Sequence, residues 1–154
     1  GFTEITVPFE SGNQRILKKW CSNKLPLDRF DPVELIKTIK KYKINVASNY
    51  MIGFPDETKA EIETTVNLAK KMHQYGVASN FSLVQPVPGT PMFDYCIKNN
   101  QMSKDYDPDK FQWMKANLFN TQVPPHELEE IRNKAWNDCN SDEFVNVRKS
   151  WAKS

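Results

Sequence analysis

The sequence is short of several features that would assign it to a particular class of protein. Its 154 residues contain only three cysteines, Cys21, Cys96 and Cys139, and these lie far apart along the chain. An odd number of distant cysteines does not form a disulfide framework, and zinc or iron–sulfur sites usually use close cysteine pairs or triplets. We therefore expect three structural thiols and a reducing, cytoplasmic environment.

Strong charge and long apolar runs are missing as well. The formal net charge is only +2, and basic residues alternate with acidic ones instead of forming blocks. Nucleic-acid-binding surfaces usually carry clustered basic residues, so no nucleic-acid partner is predicted. Because no apolar run approaches the roughly 20 residues of a membrane span, no membrane partner is predicted either.

What the chain does contain is a strand-and-helix pattern with three strand-like runs. Residues 2–9 and 45–52 show period-two alternation, and residues 77–84 form a third strand-like run. Helices are predicted to begin at three capping residues between these runs, Asn13, Asp31 and Thr58. Strands separated by helices pair in parallel, so the pattern predicts an α/β fold.

The character of the sequence changes after about residue 98. No strand-like run follows, and three further helix starts are predicted at Asp107-Pro108, Pro124-Pro125 and Ser141. We therefore divide the chain into strand–helix units over residues 1–98 and a helical extension over residues 99–154. The extension is expected to pack across the units or against their open edge.

A candidate site follows from the strand ends, because ligands of α/β proteins bind where parallel strands end. Alternation places Glu10 at the end of the first run, where it is either a ligand contact or a structural hydrogen-bond partner. In the second run Asn49 and Met51 lie on the side opposite the helix-covered face. A carboxylate and an amide suit a sugar diol or an ammonium group, so these residues predict a small-molecule site of unspecified ligand.

Three phrases of the sequence resemble the second half of a radical S-adenosylmethionine (SAM) barrel, specifically its cobalamin-associated and methylthiotransferase-like subgroup. They are Glu10-Ser11-Gly12-Asn13-Gln14-Arg15-Ile16-Leu17, Asn49-Tyr50-Met51-Ile52-Gly53-Phe54-Pro55-Asp56-Glu57-Thr58 and Pro86-Val87-Pro88-Gly89-Thr90-Pro91. The resemblance covers about residues 1–97. It implies a partial TIM-type barrel, in which this chain holds units four to six of six strand–helix units.

The resemblance also implies SAM-binding roles for residues of the first unit. Glu10 and Ser11 fall where the family contacts the amino-acid and ribose portions of SAM. Lys24 lies near a basic position that pairs with the methionyl carboxylate in some relatives, although the spacing here is longer by about two residues.

Three further positions are assigned by the same resemblance in the second and third units. Asn49 falls where a polar side chain contacts the ribose hydroxyls, and Met51 and Gln85 fall where the family flanks the adenine. One departure from the family pattern is Asp56, which stands where glycine is more common. Aspartate tolerates left-handed backbone geometry better than most residues.

The motif that defines the family, Cys-x-x-x-Cys-x-x-Cys, is absent from this chain. In the family its thiolates hold a 4Fe-4S cluster, so the resemblance implies that the cluster ligands lie elsewhere in a longer parent enzyme. Whether that parent also uses cobalamin, and which substrate it takes, stays open. The chain is thus expected to be the C-terminal part of an iron–sulfur oxidoreductase that is inactive alone.

Two alternatives remain. The chain could be a standalone, non-catalytic binding or interaction module derived from such a barrel. It could also be a different small enzyme that uses Glu10 with His73 or His126 as acid and base. In either half-barrel reading the first strand has an unpaired edge, which invites pairing with another chain. A homodimer through this edge, or coverage by the extension, is therefore predicted.

Overall fold

The computed structural model describes residues 1–103, 105–107, 109 and 112–140. Three parallel strands form one sheet in the order β1-β2-β3: β1 (Glu4–Glu10), β2 (Asn45–Ile52) and β3 (Val77–Leu83). The helices of the described residues are α1 (Gln14–Trp20), α2 (Pro32–Lys41), α3 (Lys59–His73), α4 (Pro91–Lys98) and α5 (Pro125–Cys139). The predicted α/β architecture with a parallel sheet is thus confirmed.

The helix starts follow the predicted capping chemistry. Asn13 accepts hydrogen bonds from the first turn of α1, and Asp31 does the same for α2, which begins with proline. Thr58 and Glu61 form a complete capping box at α3. These side chains satisfy N–H groups that have no partner inside a helix, so local sequence alone determines where the helices begin.

One face of the sheet is covered by helices and forms the main core. Each strand contributes one aromatic ring to it: Tyr50 of β2 stacks on Phe9 of β1 and on Phe81 of β3, with ring centroids 6.0 and 5.3 Å apart. Helices α2, α3 and α5 pack against these rings through Ile36, Met72 and Ala135. The opposite face carries Asn49 and Asn80, which are exposed. The alternation read from β1 and β2 therefore identified the buried face correctly.

The predicted helix that begins at Asp107 is wrong over the residues described here, because 112–120 contain no helix. Carbonyl groups that a helix would use internally are bound by the third strand–helix unit. Gln85 donates from Nε2 to the carbonyls of Gln112 (3.1 Å) and Lys115 (2.6 Å), and the Leu83 N–H donates to the carbonyl of Trp113 (2.8 Å). Tertiary hydrogen bonds override the local helix signal. The helix predicted at Ser141 lies outside the described residues.

The predicted structural thiols agree with the structure. Cys21, Cys96 and Cys139 are free and buried, each in a different apolar cluster. Burial raises the pKa of Cys96 to about 11 and, together with smaller charge effects, that of Cys139 to about 11. None of the helices in the described ranges has both the length and the apolar content to cross a membrane.

Candidate functional site

A cleft of about 440 Å³ lies on the sheet face that carries Asn49 and Asn80, toward the carboxyl ends of the strands. Neighbouring strands are aligned there, with Asn49 beside Asn80 and Met51 beside Ser82. The cleft is lined by Glu10, Asn49, Tyr50, Met51, Asn80, Phe81, Ser82, Trp113, Met114, Arg132 and Trp136. Three of the six sequence-predicted site residues, Glu10, Asn49 and Met51, are therefore brought together.

Glu10 ends β1 in a left-handed conformation, with φ at 63°. The register with β2 shifts between Pro8 and Glu10, so the strand bulges at this point. A bulge re-aims a side chain at the end of a strand, and here the carboxylate lines the cleft. Lys24 Nζ lies 3.6 Å from Glu10 Oε1. The Glu10 side chain is 15% exposed and that of Lys24 is 60% exposed, and Lys24 is not among the residues that line the cleft.

Asn49 and Asn80 form an amide pair across the two strands. Asn80 Nδ2 donates to Asn49 Oδ1 at 3.1 Å, and both residues are exposed. The Asn49 Nδ2 group makes no hydrogen bond to any residue in the described ranges, so it is available to a ligand. Met51 is half-buried; it lines the cleft and also packs against the cluster that contains Ile16 and Leu17.

Ser11 lies outside the cleft and joins β1 to α3. Its hydroxyl is buried, lies 3.1 Å from Thr65 Oγ1 and accepts from the Asn13 N–H at 3.0 Å. Gly12 packs so closely on α3 that a Cβ there would clash with the carbonyl group of Thr64. The structure thus shows a packing role for Ser11, and a role in ligand binding stays a prediction.

Gln85 is buried and its side chain is fully engaged by the extension. Besides the two bonds donated by Nε2 to the 112–115 segment, its Oε1 accepts from Asn117 Nδ2 at 2.6 Å. Gln85 also lines a second cavity, of about 380 Å³, between α1 and the proline-rich turn. The structure therefore places it away from the cleft of Glu10 and Asn49, and its predicted contact with adenine stays a prediction.

The loop after β2 is held by a buried carboxyl group that the sequence reading did not single out. Gly53 has φ at 85°, and Glu57 Oε2 accepts from the N–H groups of Gly53 (2.7 Å) and Phe54 (3.1 Å). Burial raises the pKa of Glu57 to about 7, although those two N–H groups oppose the shift. A glutamate four residues after a strand-ending glycine is the signal that could have identified it.

Asp56 of the same loop is held by three donors from α1. Its carboxylate accepts hydrogen bonds from Arg15 Nη1, Lys19 Nζ and Trp20 Nε1, each at 2.7 Å. Burial opposes ionisation, but these hydrogen bonds outweigh it and lower the pKa of Asp56 to about 2. Asp56 therefore ties this loop to α1.

Several cleft residues were missed by sequence reasoning. Asn80 and Ser82 alternate with Phe81 and Leu83 in β3, so the period-two argument used for β2 could have found them. Arg132 and Trp113 carry no local signal, because only the tertiary fold brings the extension to the sheet. Neither His73 nor His126 lines the cleft, which gives no support to an acid–base pair with Glu10.

The described residues do not fit an iron–sulfur cluster. The three thiols belong to separate apolar clusters, and no group of three His, Cys, Asp or Glu side chains within the described ranges is placed to hold a metal ion. The cleft itself, with a carboxylate, amides and a thioether, fits a polar organic molecule with a flat apolar part. Fold and site together define an α/β protein with a cleft at the strand ends.

Comparison with known proteins finds relatives that match part of this chain. No protein-family model matches the chain. An uncharacterized methyltransferase of Pyrococcus horikoshii is 38% identical over 92 residues, which are 59% of this chain and 19% of that protein.

Two bacterial tRNA-2-methylthio-N(6)-dimethylallyladenosine synthases are also similar. The one from Ehrlichia ruminantium is 31% identical over 108 residues, 65% of this chain and 23% of the relative. The one from Coxiella burnetii is 35% identical over 88 residues, 56% of this chain and 19% of the relative. The matched segment thus spans about a fifth of each relative. These similarities confirm the predicted resemblance to methylthiotransferase-like enzymes of the radical SAM superfamily.

Proposed function

We propose that this chain is the C-terminal part of a radical SAM iron–sulfur oxidoreductase and supplies part of its SAM site. The observation that carries the proposal is the cleft at the strand ends, in which Glu10, Asn49 and Met51 meet. The similarity to methylthiotransferase-like enzymes supports the assignment. A cytoplasmic location fits the three unpaired thiols.

The cleft residues would bind SAM through complementary chemistry. The Asn49 amide would hydrogen-bond the ribose hydroxyls, and the Glu10 carboxylate would accept from the ribose or the methionyl ammonium group. Met51 offers an apolar surface to the adenine ring. Lys24 does not line the cleft, but its ammonium group lies 3.6 Å from Glu10 Oε1 and would turn toward the SAM carboxylate. For Ser11 the resemblance implies a contact with the amino-acid and ribose portions of SAM, and for Gln85 it implies a contact with the adenine.

The iron–sulfur cluster would come from another part of the parent enzyme. A 4Fe-4S cluster, held by thiolates, supplies the electron that cleaves SAM in this superfamily. Since the cysteines of this chain are dispersed and buried, we assign it no step of that reaction and propose that it is inactive alone.

We further propose that residues 1–98 form half of a TIM-type barrel and that residues 99–154 extend it. The sheet has three parallel strands, and β1 has no described strand on its outer side. Preceding strand–helix units of the parent would pair there. In their absence a second copy of the chain would pair instead, because an unpaired edge presents a row of backbone donors and acceptors.

The first test reads the source DNA in frame upstream of Gly1. A Cys-x-x-x-Cys-x-x-Cys motif roughly half a barrel upstream is expected. A start codon directly before Gly1 without that motif would refute the fragment proposal and favour a standalone binding module.

The second test measures SAM affinity by equilibrium dialysis with the whole protein that this DNA encodes. Glu10→Gln and Asn49→Ala should each weaken SAM binding by about tenfold, because each removes hydrogen bonds to a polar or charged ligand group. The iron content should stay unchanged. Glu34→Gln, at an exposed residue of α2, is the control. Unchanged affinity in both cleft variants would show that the SAM site is misplaced.

A further inference from the structure

One end of the cleft is built by the extension and has a different chemical character from the end at Glu10. Arg132 of α5 lines it together with Trp113 and Met114, which belong to the irregular segment after α4. We propose that this end is a separate subsite for an organic anion, whose carboxylate or phosphate group binds Arg132 and whose apolar part packs on Trp113 and Met114.

Two hydrogen bonds hold the Arg132 guanidinium in place, and they use only two of its five N–H donors. Nε donates to the carbonyl of Phe81 at 3.0 Å, and Nη1 donates to Asn133 Oδ1 at 2.9 Å. No carboxylate of the described residues pairs with it. Arginine carries five N–H donors in a fixed planar fork, so the remaining donors can bind a carboxylate or phosphate group in a two-pronged geometry.

Trp113 and Met114 are exposed yet firmly positioned. They are 56% and 62% exposed, which is unusual for two large apolar neighbours in sequence. The carbonyls on both sides of them are bound by Gln85, and the Trp113 carbonyl is bound by the Leu83 N–H. Because this segment is fixed to the sheet, its apolar side chains form a prepared surface beside the Arg132 cation.

The rest of the cleft supports an anion at this end. Asn80 and Ser82 are neutral and line the floor, and the carboxylate of the cleft, Glu10, is paired with Lys24. The identification of this anion as the substrate of the enzyme rests on the proposed function. The binding of an anion beside Arg132 does not depend on that function, so the two statements can fail separately.

The test uses phenyl phosphate, phenylacetate and neutral benzyl alcohol as probes, added to the full chain and followed by nuclear magnetic resonance of the Trp113 indole N–H. At least one of the two anions should bind more tightly than benzyl alcohol, and the preferred anion distinguishes a phosphate from a carboxylate ligand. Arg132→Gln should weaken that anion by about tenfold or more, and Arg132→Lys should weaken it less. Arg29→Gln, at an exposed arginine elsewhere, should have no effect.

Arg132→Gln could also weaken binding by disturbing the structure, because Arg132 donates to the Phe81 carbonyl. A second variant therefore tests the subsite without changing Arg132. Trp113→Ala lacks the indole probe, so its anion binding is followed by isothermal titration calorimetry, as is that of the wild type. The substitution should weaken binding of both phenyl anions several-fold while the variant stays folded by circular dichroism. The proposed subsite is refuted if the wild type and Arg132→Gln bind the anions with equal affinity. It is also refuted if the wild type binds all three probes equally well. Glu10→Gln should lower SAM affinity without lowering anion affinity, so failure of the SAM site leaves this result intact.

Discussion

The two edges of the sheet, β3 and β1, differ in whether described residues of the extension bind their outward-facing backbone groups. Along β3, alternate residues direct their backbone groups away from β2, and the extension binds four of these groups. Asn140 accepts from the Ser79 N–H (3.3 Å) and donates to the Ser79 carbonyl (2.7 Å). Arg132 binds the Phe81 carbonyl, and the Trp113 carbonyl binds the Leu83 N–H. Side chains and one loop thus take the place of a fourth strand.

Along β1 no comparable cover exists in the described ranges. Residues 5–8 make no hydrogen bond to a described residue outside β2, and Ile5 is 44% exposed although it lies on the same side as the buried Val7 and Phe9. A protein closes an edge that must stay unpaired. Within the described ranges the β3 edge is therefore covered and the β1 edge is not, as the proposed pairing of β1 with a partner requires.

Removing the cover of the β3 edge should have the largest effect. Asn140→Ala leaves the buried N–H and carbonyl groups of Ser79 without partners, and we expect the free energy of unfolding to fall by about 2–4 kcal/mol. Urea unfolding measures the change. Asn137→Ala, at an exposed asparagine in the last turn of α5, should change the free energy of unfolding by less than about 0.5 kcal/mol. Equal effects would show that Asn140 does not close this edge specifically.

The docking of α5 can be tested from the loop after β2. Gly53 has φ at 85°, and a Cβ there would clash with Leu128 of α5. Gly89, with φ at 83°, has no atom within 4 Å of such a Cβ. Both alanine variants strain the backbone, but Gly53→Ala should cost about 1–3 kcal/mol more because it also overpacks the α5 contact. Thermal unfolding of the two variants gives the difference, and equal costs would argue against tight docking of α5.

A substitution at the β1 edge should change self-association of the chain more than its free energy of unfolding. Ile5→Lys places a charge on the edge, a device that blocks strand pairing, and should weaken self-association of this chain by about tenfold or more. Sedimentation velocity over a concentration series measures it. Tyr42→Lys, at an exposed residue that ends α2, should leave association unchanged. A wild-type chain that stays monomeric at all concentrations would refute the proposed pairing of two copies through β1.

Much of the fold was predictable because its signals are local. Capping residues defined the starts of α1, α2 and α3, and the alternation of apolar and polar residues in β1 and β2 identified the buried face. Glu10, Asn49 and Met51 could be assigned to one cleft because parallel strands end at the same edge of a sheet. Gln85 could not be placed from sequence, because its partners lie 27–32 residues away in an irregular segment.

The sequence by itself determined the strand–helix units, their capping and the polar face of the sheet, since each depends on neighbours within a few residues. Only the tertiary structure decided how the extension meets the sheet. Asn140, Arg132 and Trp113 satisfy backbone groups of β3 that are distant in sequence, and buried backbone groups must find such partners. That requirement converts a predicted helix into an irregular segment over residues 112–120 and covers the β3 edge of the sheet.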